Sequence, residues 1–195
     1  MKVRPPVIYQ DRLAMIIKYQ FKDDRPLPPN KKIPILMSDL SDKDFRFTDS
    51  LFNRIFAPPI DIKLDLKYKF DLDMTRLNGK LKSLSPWITD HQGRVAIVIL
   101  ADGINYSINH GTKAMYKFYE DSVGISYLMH SNKELYFTYN LIQRIQLAAP
   151  LVHLESIQAN EWFITMMNWN KCYADHNHMH SSVNSQINKL IAMGD

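Results

Sequence analysis

Three polar side chains that could contact DNA bases alternate with apolar ones in the middle of the chain. The polar residues are Asn105, Ser107 and Asn109, and the apolar residues between them are Ile104, Tyr106 and Ile108. On a strand of period two, these two sets point to opposite faces. An asparagine amide can pair with both N6 and N7 of adenine in the major groove. The alternation therefore predicts a strand that pairs with a second copy and contacts bases through its polar face.

Nearby lysines and the charge of the N-terminal half predict phosphate contacts. Lys113 and Lys117 follow the strand directly. Residues 1 to 90 hold seventeen Lys and Arg against twelve Asp, a net charge of +5, whereas residues 91 to 195 hold seven against eight acidic residues. This excess and the sequence pI near 9.0 favour an anionic partner. We therefore expect double-stranded DNA as the partner, with basic residues holding its phosphates.

Signatures of enzymes are absent from the sequence. It has no glycine-rich dinucleotide or phosphate loop, no nucleophile elbow and no zinc-protease helix motif. Cys172 is the single cysteine, and we interpret it as a small packed residue rather than a nucleophile. We expect no catalytic residue, no cofactor and no small-molecule substrate.

A histidine cluster near the C-terminus has donor atoms that zinc accepts. His176, His178 and His180 alternate close to Cys172 and Asp175, so an extended segment would place the three imidazoles on one face. A structural zinc site usually takes ligands from two separate segments, so that binding closes a loop. We therefore interpret the cluster as a solvated connector and predict no metal site. A metal-dependent enzyme built on these histidines is the third function hypothesis.

A segment rich in aromatic and methionine residues could form a contact surface. Between Glu155 and Trp169 the helical pattern contains five large side chains, Trp162, Phe163, Met166, Met167 and Trp169. Such residues anchor protein interfaces because they adapt in shape and bury large areas. A core helix or a dimer contact is the interpretation that we favour. The alternative function is a structural or assembly subunit of a viral or secretion complex, which would use this aromatic and Met-rich surface.

Two apolar patterns predict antiparallel strands in the middle of the chain. Over residues 60 to 74, apolar and charged side chains alternate without a break, which is typical of a strand with one buried face. Residues 95 to 100 are a continuous apolar run, which predicts a strand buried on both faces. Asp102 and Gly103 favour a tight hairpin between this strand and the one that begins at Ile104.

Capping residues and helical periodicity predict helices around these strands. We expect a short helix over about 42 to 56, a pair of helices between 112 and 149, and further helices over 155 to 169 and about 186 to 193. A β-meander over 114 to 141 is the alternative, because Tyr, Phe, Ile and Thr are frequent there. The expected fold class is α+β, with an N-terminal arm and short helix at 1–59, a main domain at 60–195 and a helical C-terminal third.

The strand, helix, helix order over 104 to 149 resembles the unit of ribbon-helix-helix DNA-binding proteins. Residues 117 to 126, Lys-Phe-Tyr-Glu-Asp-Ser-Val-Gly-Ile-Ser, are similar to the junction in that family, where a glycine ends one helix and a serine caps the next. The resemblance implies that Ser126 and Tyr127 contact a phosphate at a helix N-terminus. A long chain with such an embedded unit also looks like the AcaB-type transcriptional activators of conjugative plasmids.

These patterns predict a sequence-specific, DNA-binding transcriptional regulator that acts as a homodimer, with its strand pair in the major groove. The candidate nucleic-acid-binding residues are Asn105, Ser107, Asn109, Lys113, Lys117, Ser126 and Tyr127. The N-terminus has no apolar signal-peptide core, and no eighteen apolar residues occur in succession. We therefore expect a cytoplasmic protein without a membrane segment.

Overall fold

The described residues form helices, so the predicted α+β fold is wrong. The computed structural model describes residues 7–21, 29, 40–57, 67–68 and 85–194, with the backbone alone at 7–11 and 85–86. No strand occurs within these ranges. The strand expected over 60 to 74 falls outside them, apart from Lys67 and Tyr68, which are helical. The expected antiparallel strands at 95–100 and 104–109 are replaced by helical structure that ends at Ile108.

The helices within the described ranges are α1 (Val7–Gln20), α2 (Asp49–Phe56), α3 (Ser85–Thr89), α4 (His91–Val98), α5 (Asn105–Ile108), α6 (Tyr119–Ser131), α7 (Lys133–Phe137), α8 (Leu141–Ala148), α9 (Ile157–His176) and α10 (Ser181–Gly194). A π-helix, Ile99–Ile104, joins α4 to α5, and short 3₁₀ helices span Lys113–Tyr116 and Ala149–Leu151. The helices expected in the C-terminal third are confirmed, and the β-meander does not form.

We call α4, the π-helix and α5 together the central rod, because they continue without interruption from His91 to Ile108. The Asp90 side chain caps the start of the rod by accepting a hydrogen bond from the Gly93 N–H at 2.7 Å. Residues 95 to 101 are at most 2% exposed, and a helix that is apolar all round is one that other elements surround. A continuous apolar run suits a buried helix as well as a buried strand, so the pattern alone does not distinguish them.

The expected hairpin at Asp102 and Gly103 is also wrong, because both residues lie inside the π-helix. A type I′ hairpin turn needs a positive φ at both central residues. Among the described residues, only His178 and Gly111 have a positive φ. The chain leaves the rod through Gly111, whose φ of 77° is the left-handed conformation that glycine adopts without a steric penalty.

Helices pack around the rod and form one core. α1, α2, α6 and α8 contact the rod, and α9 packs on α8 and α10. Each of these helices contributes to the apolar cluster, which includes Ile16, Ile55, Ile97, Met129, Ile145, Phe163 and Leu190. None of the described helices has the length and apolar character that a membrane crossing requires.

Candidate functional site

Two of the predicted base-contacting residues are buried in the central rod. Asn105 is 1% exposed, and its Nδ2 donates to the backbone oxygens of Ala114 at 3.2 Å and Met115 at 2.9 Å. The Ser107 hydroxyl, also buried, donates to the Gly103 carbonyl at 2.8 Å. These side chains satisfy backbone groups inside the fold. The strand that was expected to present them to DNA is absent from this part of the structure.

The other predicted residues do not form a single surface with Asn105. Asn109 is half-buried and donates its Nδ2 to the Asn105 side chain at 2.9 Å. Lys113 and Lys117 are exposed, and the Lys117 ammonium lies 5.0 Å from the centroid of the Phe118 ring. DNA contact by these residues stays a prediction. The strand pair on which it depended does not form in the described residues.

The predicted helix junction at Ser126 does not form, because α6 continues through Gly124 to Ser131. Ser126 is therefore inside a helix rather than at an N-terminus. Its hydroxyl is buried and donates to the carbonyls of Ser122 at 3.1 Å and Leu147 at 2.7 Å, which ties α6 to α8. Tyr127 is adjacent in sequence but 50% exposed.

A continuous set of rings crosses from α6 to α9 next to Tyr127. The Tyr127 ring lies 5.1 Å from Trp162, and the His130 ring stacks near Trp162 at 5.4 Å and near Trp169 at 5.8 Å, measured between centroids. The ammonium of Lys133 on α7 lies 5.0 Å from the Trp169 ring. We call these residues the aromatic surface, and it is the candidate functional site: Tyr127, His130, Lys133, Trp162 and Trp169.

The aromatic surface is only partly covered by the fold and carries little net charge. Trp162, Trp169 and His130 are half-buried, while Tyr127 and Lys133 are exposed. Burial lowers the pKa of His130 below its ordinary value of 6.5, so this imidazole is neutral at pH 7. The surface is therefore mainly aromatic, with one cation, Lys133, beside the rings.

The tertiary structure divides the aromatic and Met-rich segment into two faces. Phe163, Met166 and Met167 are fully buried, so the core interpretation is confirmed for them. Trp162 and Trp169 are half-buried and belong to the aromatic surface. Trp162 and Trp169 lie along the edge of the buried face of α9, because they are four residues before and three residues after the buried Met166. The packing of α8 and α10 against this helix decides which side chains are covered.

The histidine cluster is not assembled into a metal site in the part of the chain that the structure describes. His176 is the last residue of α9, while His178 and His180 lie in the connection to α10, and all three are exposed. His180 Nδ1 is 2.9 Å from the Ser182 hydroxyl. Cys172 was expected to be packed, but it is exposed.

A buried acid–base pair that the sequence analysis missed joins the π-helix to the segment after α8. His153 Nδ1 lies 2.9 Å from Asp102 Oδ1, and the two side chains are 11% and 0% exposed. The imidazole stacks on Tyr106, with ring centroids 4.7 Å apart. Burial lowers the pKa of His153, but the charge of Asp102 and hydrogen bonds to Asp102 and to the Phe56 backbone outweigh it, so the pKa is raised. The pair connects α2, the rod and this segment, and it is an ion pair when the imidazole is protonated.

A second charge pair, between the buried Arg144 and the half-buried Asp42, holds residues 40–44 against the helices. The Arg144 guanidinium lies over two neighbouring rings, those of Phe137, at 4.8 Å, and Tyr173, at 4.2 Å. Its Nη2 donates to Asp42 Oδ2 at 3.3 Å. Asp42 also accepts hydrogen bonds from the Tyr173 hydroxyl at 2.7 Å and the Leu141 N–H at 2.9 Å. These contacts satisfy the carboxylate and fix the segment to α8 and α9.

No family model, curated protein or solved structure matches this chain in the comparisons with known proteins. The ribbon-helix-helix resemblance therefore gains no support from them, and the function has to be argued from the geometry of the site.

Proposed function

We propose that the protein is an assembly subunit that associates with a second copy of itself through the aromatic surface. The observation that carries the proposal is the run of rings from Tyr127 through Trp162 and His130 to Trp169, which the rest of the fold leaves partly uncovered. Tyrosine and tryptophan dominate the binding energy of protein interfaces, because they bury large areas with few rotatable bonds.

The charge of this half of the chain favours a second copy over nucleic acid as the occupant. Residues 91 to 195 hold seven basic against eight acidic residues, so a nucleic-acid backbone meets no excess of positive charge here. In a two-fold interface each surface meets itself, and this near-neutral half can do so without strong repulsion between the copies. The ammonium of Lys133 lies over the Trp169 ring, so this cation already has an aromatic partner within the surface.

The test compares two tyrosines that have similar exposure and different positions. Tyr127 in the aromatic surface is 50% exposed and Tyr116 in a 3₁₀ helix is 45% exposed. Sedimentation equilibrium over about 1 to 100 µM protein should show a dimer for the wild type. Tyr127→Ala should weaken the dimer by at least about tenfold, because truncation of a hot-spot tyrosine costs about 2 kcal/mol or more and tenfold corresponds to about 1.4 kcal/mol. Tyr116→Ala removes the same side chain outside the aromatic surface and should leave the dimer unchanged.

Two results would contradict the proposal. One is a wild-type monomer throughout the concentration range, and the other is an equal effect of both tyrosine variants on dimerisation. Circular dichroism of each variant establishes that the helices are intact, so that a loss of association can be assigned to the surface.

A further inference from the structure

A cleft on a different side of α6 has the shape and lining of a small-molecule site. It has a volume of about 330 Å³ and lies between α3, α4 and α6. Its apolar walls are formed by Ile88, Ile97, Ile125 and Leu128. Ligand pockets in proteins begin at about this volume and are lined mainly by apolar side chains. The cleft is large enough for a ligand the size of a phenylalkyl group.

Gly124 keeps this cleft open. It lies in the middle of α6 and lines the cleft. Its backbone does not have the positive φ that would require glycine, and a Cβ built at this position would meet no atom within 4 Å. Glycine within a helix is less favourable than alanine, so neither conformation nor crowding explains this residue. Any larger side chain at position 124 would fill part of the cleft.

The polar part of the lining is acidic. Glu120 and Asp121 begin α6 and line the cleft together with Gly124, which lies one turn further along the helix. Glu120 is exposed, and no lysine, arginine or histidine is among the described residues that line the cleft. A ligand that buries an apolar body against the four apolar side chains would therefore have its polar end near the Glu120 side chain. An ammonium group satisfies such a site, whereas a carboxylate is repelled by it.

We propose that the cleft binds a small organic cation, an amine carried on an apolar body. The apolar body lies against the isoleucine and leucine walls and over Gly124, and the ammonium group is close to Glu120. This site is distinct from the aromatic surface, because none of Tyr127, His130, Lys133, Trp162 and Trp169 is among the described residues that line the cleft.

Three probes with the same skeleton and different charge test the proposal. They are phenylbutylamine, phenylbutanol and phenylbutanoate, each titrated into the full chain and followed by two-dimensional amide NMR. Phenylbutylamine should produce saturable shifts at the amides of Gly124 and Ile125, with a Kd of about 1 mM or tighter. The alcohol should bind more weakly, and the carboxylate at least about tenfold more weakly than the amine.

Two leucine variants separate the cleft from other apolar sites, and a third variant tests the role of charge. Gly124→Leu should weaken amine binding by at least about tenfold, because the new side chain occupies the cleft. Ser131→Leu adds the same side chain at an exposed position at the end of α6, outside the cleft, and should leave binding unchanged. Glu120→Gln should weaken the amine several-fold and leave binding of the alcohol unchanged.

The proposal is overturned by the absence of saturable amine binding, by equal affinity for the amine and the carboxylate, or by Gly124→Leu binding the amine as tightly as the wild type. Circular dichroism is recorded for each variant. If Gly124→Leu does not fold, the comparison of amine and alcohol with Glu120→Gln decides the question. Equal weakening of both probes in that variant also overturns the proposal.

Discussion

At the scale of single residues, the buried pair of Asp102 and His153 has a consequence for stability. Asp102 is completely buried in the π-helix, and a buried carboxylate has a high desolvation cost unless a cation lies beside it. His153 supplies that cation, because its raised pKa keeps the imidazole protonated at a higher pH than an exposed histidine. The pair therefore links folding to pH.

We expect His153 to make a contribution to the free energy of unfolding that decreases as the pH rises above 6.5. Its pKa in the folded chain lies above the ordinary value of 6.5, so the folded state binds this proton more tightly than the unfolded state. This contribution is fully present below about pH 6.5 and is lost as the pH rises through the folded pKa. Urea unfolding between about pH 6 and pH 9 measures it.

His153→Gln should remove this component and lower stability by about 3–5 kcal/mol, because Asp102 would remain buried without its cation. His176→Gln changes an exposed histidine at the end of α9 and is the matched control. If the free energy of unfolding of His153→Gln has the same pH dependence as that of the wild type, protonation of this histidine does not contribute to stability.

At the scale of elements, two glycines in helices differ in the space around them. Gly93 is crowded by a neighbouring helix, whereas Gly124 is open. At Gly93 a Cβ would lie 2.3 Å from the Trp87 carbonyl oxygen, so α3 can approach the start of α4 only because no side chain intervenes. At Gly124 a Cβ would meet nothing within 4 Å. Both are glycines within helical segments, and only the tertiary contacts separate them.

Alanine at each of these positions should therefore change stability in opposite directions. Gly93→Ala should destabilise the fold by about 1–3 kcal/mol or more, because its Cβ would overlap the backbone of α3. Gly124→Ala should stabilise it by about 0.5–1 kcal/mol through helix propensity. The free energies of unfolding from urea titration check both values. Similar destabilisation by the two substitutions would mean that the approach of α3 to α4 is not what requires glycine at position 93.

At the scale of the whole molecule, charge is distributed unevenly along the chain. The net charge of +5 over residues 1 to 90 belongs mostly to sequence outside the described helices, whereas the packed C-terminal half is close to neutral. Duplex DNA binding stays a prediction that depends on this basic half.

If that prediction holds, DNA affinity should fall by about tenfold or more between about 50 and 200 mM salt, because bound phosphates release counterions. Fluorescence anisotropy with a labelled duplex measures the affinity, and Lys113→Ala should weaken all sequences alike and reduce the salt slope by about one. The absence of binding at micromolar protein, or an affinity that does not change with salt, would exclude this function.

Local sequence signals predict the helical C-terminal third because they act within a few residues. The Asn140 side chain accepts from the Gln143 N–H at 3.0 Å and begins α8, and Ser156 caps α9 in the same way. The burial of residues 95 to 100 also follows from their composition alone. Capping residues and periodicity report the conformation that a short segment prefers by itself. Predictions from them are therefore correct where one local conformation is strongly preferred.

Long-range packing decides what these local patterns leave open. The run over 95 to 100 suits a strand or a helix, and the surrounding helices select the helix. Because residues 104 to 108 are helical, their alternating side chains do not separate into two strand faces. The Asn105 amide instead donates to the backbone oxygens of Ala114 and Met115. Asp102 and His153 are 51 positions apart and Asp42 and Arg144 are 102 apart, so no local pattern links either pair. A buried charged side chain needs a partner because it has lost its contact with water. Only the folded arrangement brings the two partners within hydrogen-bond distance.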